Sequence, residues 1–293
     1  MRIVFIGAVQ FSRRALECVL ALDAEVVGIC TQATSSFNAD HCDLRALSEN
    51  NGIPSLDAQD LNSQASLQWI RDCRPDVIFC FGWSRLLRKP LLDVAPLGVV
   101  GFHPAALPAN RGRHPLIWAL VLGLTQTATT FFFMDESADG GDILSQRALE
   151  ISEFDDAGSL YEKMTRSALL QIEEFVPQLT AGKYPRIRQD ASNSNSWRKR
   201  ARADGQIDWR MSARSIRNLV RGLARPYAGA HFRHRDSDVK VWAAEIIPGT
   251  AANIEPGKVV QSGAPGPVIV CGEGAIRLLE CEPPALLATG EYL

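Results

Sequence analysis

Between Arg2 and Pro104 the chain repeats one pattern: a short apolar run rich in β-branched residues, then a segment with apolar residues at helical spacing. "RIVFIG" (Arg2–Gly7) leads into "FSRRALECVLALD", with Ser12 placed as an N-cap, and on into "EVVGICTQ". "CDLRALSENNG" reads as a second helix, "SLQWIRDCRPDVIFCFG" as a helix entering a third strand, and "GVVGFHP" as a fourth strand. Strands apolar throughout must be covered on both faces, and repeats of roughly 25–30 residues leave room for one crossover helix each. The expected fold class is therefore α/β: a doubly wound, mostly parallel sheet with right-handed crossovers.

Beyond Trp118, "LIWALVLGL" reads as a helix, "ATTFFFMDE" as a strongly apolar strand and "SADGGDIL" as a turn. "SLYEKMTRSALLQIEEFVPQL" is a long amphipathic helix with Leu160, Met164, Ala168, Ile172 and Phe175 near one face. The polar run "RQDASNSNSWRKRARADGQ" reads as a linker. "SARSIRNLVRGLARP" is a helix stopped by Pro226, and the strand-like pieces after it indicate a small β-rich C-terminal domain. The expected division is a catalytic domain over residues 1–190, a linker over 191–205 and a small OB-like domain over 206–293.

Composition removes several classes of function. The formal net charge of the 293 residues is −2, so no global field draws the chain to nucleic acid or membrane. Seven cysteines, an odd number with no CxxC pair, read as free thiols in a reducing cytoplasm. No Cys/His spacing suits zinc, so no metal is expected. The N-terminal apolar run is too short for a signal peptide or a membrane span. Gly7 stands alone where a dinucleotide fold needs three glycines, so no NAD is expected there; the turn is either plain or a substrate loop.

The stretch "GFHPAALPANRGRHP" carries the chemistry. His103 follows a strand directly, Pro104 and Pro108 stiffen the loop beyond it, and Arg111, Arg113 and His114 close it. Asp139 and Asp142 follow the next strand, with Gly140 and Gly141 between them. If the two strands are neighbours, His103 and Asp139 meet at one end of the sheet. A carboxylate beside an imidazole orients it for proton transfer. A lone histidine at a strand end is otherwise often structural.

These two stretches, "GFHPAALPANRGRHPLIWAL" and "TFFFMDESADGGDIL", resemble the formyltransferase family that uses 10-formyltetrahydrofolate. Its shared pattern is Asn-x-His-x-x-x-Leu-Pro, then a strand, then a loop aspartate before Gly-Asp. The likeness covers most of residues 1–185, and "DGQIDWRMSARSIRNLVRGLARPYAGA" resembles the start of the C-terminal domain of its tRNA and sugar-nucleotide members. The resemblance implies formyl transfer to a primary amine, with His103 and Asp139 catalytic. It implies folate contacts from the loop holding Trp83, Ser84, Leu86 and Leu87, and from Asp139, Gly140 and Asp142. It implies substrate contacts at Gln10, Ser12, Arg13 and Arg111.

One departure stands out: the family's asparagine falls on Gly101. An amide there would donate to the developing oxyanion, and losing such a donor typically costs about 10²–10³ in rate. Asn110, His114 or a backbone N–H could replace it, water could fill the gap, or the protein could bind folate and sugar without turnover. Asn110 could equally be an exposed loop residue.

For the acceptor, Pro185 to Lys240 holds fourteen Lys/Arg against five acids, which can track phosphates or be a solvated face. The segment "TQATSSFNADHCDLRAL" is short and nearly neutral, and "RGRHP" resembles the sugar-nucleotide form. The expected partners are small molecules, a nucleotide-linked amino sugar and a folate, with methionyl-tRNA the alternative acceptor and no membrane. A homodimer is compatible with the sequence.

Overall fold

A computed structural model describes residues 1–34, 40–249 and 253–293. In chain order its elements are β1 (Arg2–Ile6), α1 (Gln10–Ala21), β2 (Glu25–Thr31), α2 (Arg45–Asn50), β3 (Ser55–Asp57), α3 (Gln64–Asp72) and β4 (Val77–Cys80). Next come α4 (Lys89–Leu92), β5 (Val99–His103), β6 (Arg111–Gly112), α5 (Pro115–Val121), β7 (Gln126–Phe133), β8 (Ile143–Glu150) and α6 (Ala157–Thr180). The remainder is β9 (Ser196–Trp197), α7 (Ala213–Gly222), β10 (Ala230–His234), β11 (Ser237–Ile247), β12 (Val259–Gln261), β13 (Val268–Val270) and β14 (Ala275–Glu282).

Seven strands form one sheet in the order β3-β2-β1-β4-β5-β7-β8. The pairs from β3 to β5 are parallel, as the double-sided apolar runs require. Phe5, Phe79, Phe81 and Phe131 pack ring on ring, and Phe79 and Phe131 meet Phe175 of α6; Phe131 and Phe175 have ring centroids 4.8 Å apart. The apolar stripe read from the sequence is the buried face of α6: Leu160, Met164, Ala168, Ile172 and Phe175 are all buried.

The structure corrects the sequence reading in three places. First, β5 and β7 are neighbours but antiparallel, with His103 opposite Thr130 and Val100 opposite Phe133. The Asp139 loop therefore leaves β7 at the amino end of β5, not beside His103. Second, Ser12 is not an N-cap. Val9 caps α1, and the fully buried Ser12 hydroxyl donates to the Phe81 carbonyl at 2.5 Å while accepting from the Val9 N–H. Third, β3, β8 and β10 went unread, β3 being only three residues long.

The chain divides into two units, each interrupted in sequence. The first comprises residues 1–112, 127–149 and 163–197; the second comprises 113–126, 150–162 and 198–293. The stretch expected as a linker is structured. Residues 191–193 form a 3₁₀ turn, β9 pairs with β6, and Arg200 is buried. The division falls at Trp197/Arg198, inside the expected linker.

In the second unit five antiparallel strands run β10-β11-β14-β13-β12. Ser212 caps α7 by accepting from Ser215 N–H, and Ile216, Leu219 and Val220 pack with Phe232, Val241, Ile276 and Leu278. The helix ends at Gly222, before Pro226.

All seven cysteines are free thiols. Burial pushes the Cys80 thiol up to about 12, so it carries no thiolate nucleophile. No helix among the described residues is long and apolar enough to cross a membrane, and none of their His, Cys, Asp and Glu side chains form a group that could hold a metal ion.

Candidate active site

His103 ends β5, and its side chain is nearly enclosed, with the residue 5% exposed. Its Nε2 lies 2.8 Å from the Asn110 carbonyl oxygen. A carbonyl only accepts, so Nε2 carries the hydrogen and the tautomer is fixed. Nδ1 is then the nitrogen that can take up or pass on a proton. It lies 3.7 Å from Asp139 Oδ2, beyond direct hydrogen bonding but within ion-pair range.

The sequence-distant pair thus comes together, although by an indirect route. Phe133 sits opposite Val100, about 10 Å down the strand from His103 at roughly 3.3 Å per residue. The loop must run back along β5 to deliver Asp139. Met134 lies against Gly101 as it does so: a Cβ built on Gly101 would stand 2.8 Å from Met134 Cγ and 3.2 Å from Phe132 Cε1. Gly101 is therefore not an empty donor position. Its side-chain space is taken by a thioether that joins Leu107, Phe132 and Ile143 in an apolar cluster.

Asp139 sits in the left-handed backbone region at φ 55°. Its Oδ2 accepts the Gly112 N–H at 2.9 Å. Gly141 is required because a Cβ there would collide with the Phe133 carbonyl. The Asp142 carbonyl accepts from Phe133 N–H and closes the loop onto β7.

Asn110 enters the site through its backbone. Its carbonyl holds His103, and its own N–H donates to Asn195 Oδ1 at 2.7 Å. Arg111 was named as a substrate contact. In the fold its Nη2 donates to Gln189 Oε1 at 2.7 Å, and its Nε is buried with no partner among the described residues.

The other expected residues are spread more widely. Trp83 and Ser84 are half-buried in the loop after β4, the strand beside β5. Leu86 is 70% exposed with its carbonyl taken by Asn62 Nδ2, and Leu87 is buried in the core. So the leucine side chains do not form one surface. Gln10 and Arg13 are exposed on the first turn of α1, where Arg13 pairs with Glu17. Ser12 points the other way and is enclosed, so it cannot touch a substrate. A Cβ on Gly7 would meet the Phe81 carbonyl and Ser12. His114 belongs to the second unit, where its Nδ1 accepts Arg200 N–H at 3.3 Å.

Gln189 went unread in the sequence. It is buried, and its Nε2 donates to both the Asp139 and Gly141 carbonyls, at 2.8 and 2.6 Å. An amide in a Ser/Asn-rich stretch carries no periodic signal, and only the fold reveals its contacts.

Comparison with known proteins accounts for both parts of the chain. Residues 1–172 match the family model described as formyl transferase, and residues 200–286 match that described as formyl transferase, C-terminal domain. Two relatives, the methionyl-tRNA formyltransferases of Citrifermentans bemidjiense and Geobacter sulfurreducens, are each 30% identical over 299 residues. Each alignment covers 100% of this chain and 93% of the relative. Among solved structures, the N-formyltransferase of Helicobacter canadensis in complex with folinic acid and dTDP-3-aminofucose superposes with a TM-score of 0.72. It covers 94% of this chain and 98% of that one at 14% identity, a likeness of fold alone.

Proposed function

The chain belongs to the formyl transferase family, and we propose that it moves the formyl group of 10-formyltetrahydrofolate to the amine of methionyl-tRNA. The observation carrying this acceptor is the 30% identity to methionyl-tRNA formyltransferases across the full length, both domains included. This reading replaces the amino-sugar nucleotide favoured by sequence motifs.

In the proposed reaction the amine nitrogen attacks the formyl carbon, a tetrahedral centre forms, and the carbon–N10 bond breaks. The amine loses one proton and N10 gains one. His103 Nδ1 is placed to receive the first, because Nε2 is committed to Asn110. Asp139, 3.7 Å away, stabilises the imidazolium formed and orients the ring. The loop after β4 and residues 139–142 supply the folate contacts.

One observation favours the amino-sugar nucleotide as a second reading: the basic residues after Pro185 are largely engaged within the chain. Arg198 pairs with Asp204, Arg202 with Asp238, Arg210 with Asp208 and Arg225 with Glu280. Arg217 and Arg221 donate to the Glu153 and Ser152 carbonyls. The segment "TQATSSFNADHCDLRAL", short and nearly neutral in sequence, includes residues 35–39, which lie outside the described residues.

The test is formyl transfer to methionyl-tRNA and to a panel of nucleotide-linked amino sugars between 50 and 200 mM salt. A tRNA acceptor that meets about 6–10 phosphates loses about 10³–10⁵ in affinity over that range. Turnover of tRNA with such a slope supports the proposal. Turnover only of an amino sugar, with a shallow slope, replaces it.

A further inference from the structure

The segment 184–197 is stitched into the catalytic unit along its length. Tyr184 meets Phe133 with ring centroids 5.7 Å apart, and Arg186 lies over the same ring. Ile187 and Ile143 exchange both backbone hydrogen bonds. Further on, the segment reaches both catalytic loops. Asn195 takes the Asn110 N–H on its side chain and the Arg111 N–H on its carbonyl, and β9 then runs beside β6. Gln189 holds the other loop.

We infer that Gln189 is a positioning residue: its amide sets the backbone of Asp139 and so the distance between the Asp139 carboxylate and His103. Three facts converge. Both N–H bonds of its amide go to one short turn, bracketing Gly140 from the Asp139 and Gly141 carbonyls. That turn holds Asp139 at positive φ, a conformation uncommon for a non-glycine residue though one aspartate tolerates better than most, so the turn depends on what fixes its carbonyls. The amide oxygen takes Arg111 Nη2, on the strand whose Gly112 N–H grips the Asp139 carboxylate. Gln189 is thus joined to Asp139 from both sides, through its backbone and through the partner of its carboxylate. Only a side-chain amide does both, and asparagine's is one methylene shorter: glutamate keeps the arginine but loses the two donors, and leucine loses everything.

Gln189→Glu and Gln189→Leu are the test, read two ways. The first is amide hydrogen exchange at Gly112, followed by NMR, which needs no substrate. Both variants are expected to raise Gly112 exchange at least about tenfold while core amides of β1 and β4 stay protected. The second is kcat. A misplacement of about 1 Å at a catalytic group costs on the order of 10²-fold, and that loss is expected in each variant. In an Asp139→Asn background neither variant is expected to lower kcat further, because the effect passes through that carboxylate. The kinetic arm rests on the formyl-transfer reading; the exchange arm does not. Lost Gly112 protection in a protein inert toward every acceptor leaves the clamp standing and removes the acceptor assignment. Unchanged Gly112 exchange in Gln189→Glu, or losses that multiply with Asp139→Asn, overturns the inference. If Gln189→Leu fails to fold, Gln189→Glu carries the test alone, since it keeps a partner for Arg111.

Discussion

Gly101→Asn restores the family's pattern, and the structure says the change will fail on its own. The new Cβ alone would stand 2.8 Å from Met134 Cγ, 3.0 Å from Met134 Sδ and 3.2 Å from Phe132 Cε1, before any amide is added. Backbone cannot yield there, because β5 is hydrogen-bonded on both sides, to β4 and β7. Met134 must move, and methionine is flexible enough that the overpacking cost is about 1–3 kcal/mol. At about 2–4 °C per kcal/mol for a unit of this size, the melting temperature should fall by several degrees. Met134→Ala alone should also destabilise, near the lower end of the roughly 2–5 kcal/mol expected for such truncations, because Met134 is only half-buried. The double variant should lie well above the sum of the two, with a coupling of about 0.5–3 kcal/mol, since the asparagine then enters the space the thioether leaves. Calorimetric melting of the four proteins closes the cycle, and formyl-transfer rates are measured alongside. An amide that reaches the oxyanion position is worth up to about 10²–10³ in rate, so the double variant should outrun Met134→Ala. Additive destabilisation, or a Gly101→Asn protein as stable as the parent, would refute the assignment of that space to Met134.

Two further perturbations separate structural from functional roles. Ser12→Ala removes the donor to the Phe81 carbonyl and the acceptor of Val9 N–H, and should destabilise by about 1–3 kcal/mol while leaving the acceptor KM within twofold; a large KM change instead would return Ser12 to the substrate site. For His114, burial first, then Arg113, Arg200 and Lys199, lower its pKa below the ordinary 6.5. The unfolded chain then binds the proton more readily, so the second unit should lose stability as pH falls below about 6.5 toward the lowered folded value, with no dependence from this group above it. Denaturant melts from pH 5 to 8 on the parent and on His114→Gln check this, and an unchanged pH slope in the variant would contradict it.

Much of the fold was legible because it rests on burial periodicity. β1, β2, β4 and β5 are apolar over most of their length, and α6 buries the residues its spacing selects. What escaped has little hydrophobic signature. β8 alternates buried and exposed residues only weakly, and β3 and β9 are two or three residues long. The second unit gathers residues 113–126 and 150–162 from within the first part of the chain, which no boundary of composition marks. Charge left two readings open for the basic stretch after Pro185, and the fold gives Arg198, Arg210, Arg217, Arg221 and Arg225 a carboxylate or carbonyl partner, which counting charges does not show.

The pairing of His103 with Asp139 shows how a juxtaposition read from the sequence can be reached by a different route in the fold. His103 and Asp139 were joined in the sequence reading by assuming that both strands end at one rim. With β7 antiparallel to β5 they do not, and direct geometry alone would leave the carboxylate about three residues short of the imidazole. Two features close the gap. Gly101 presents no side chain where the returning loop lays Met134 against β5, so the loop can travel back toward His103 at close range. Gln189 and the Gly112 N–H then fix the turn and the carboxylate at its far end. A glycine that reads in the sequence as a missing donor is, in the fold, part of the path that brings Asp139 to His103. Substituting it is therefore a question of loop placement before it is a question of oxyanion chemistry.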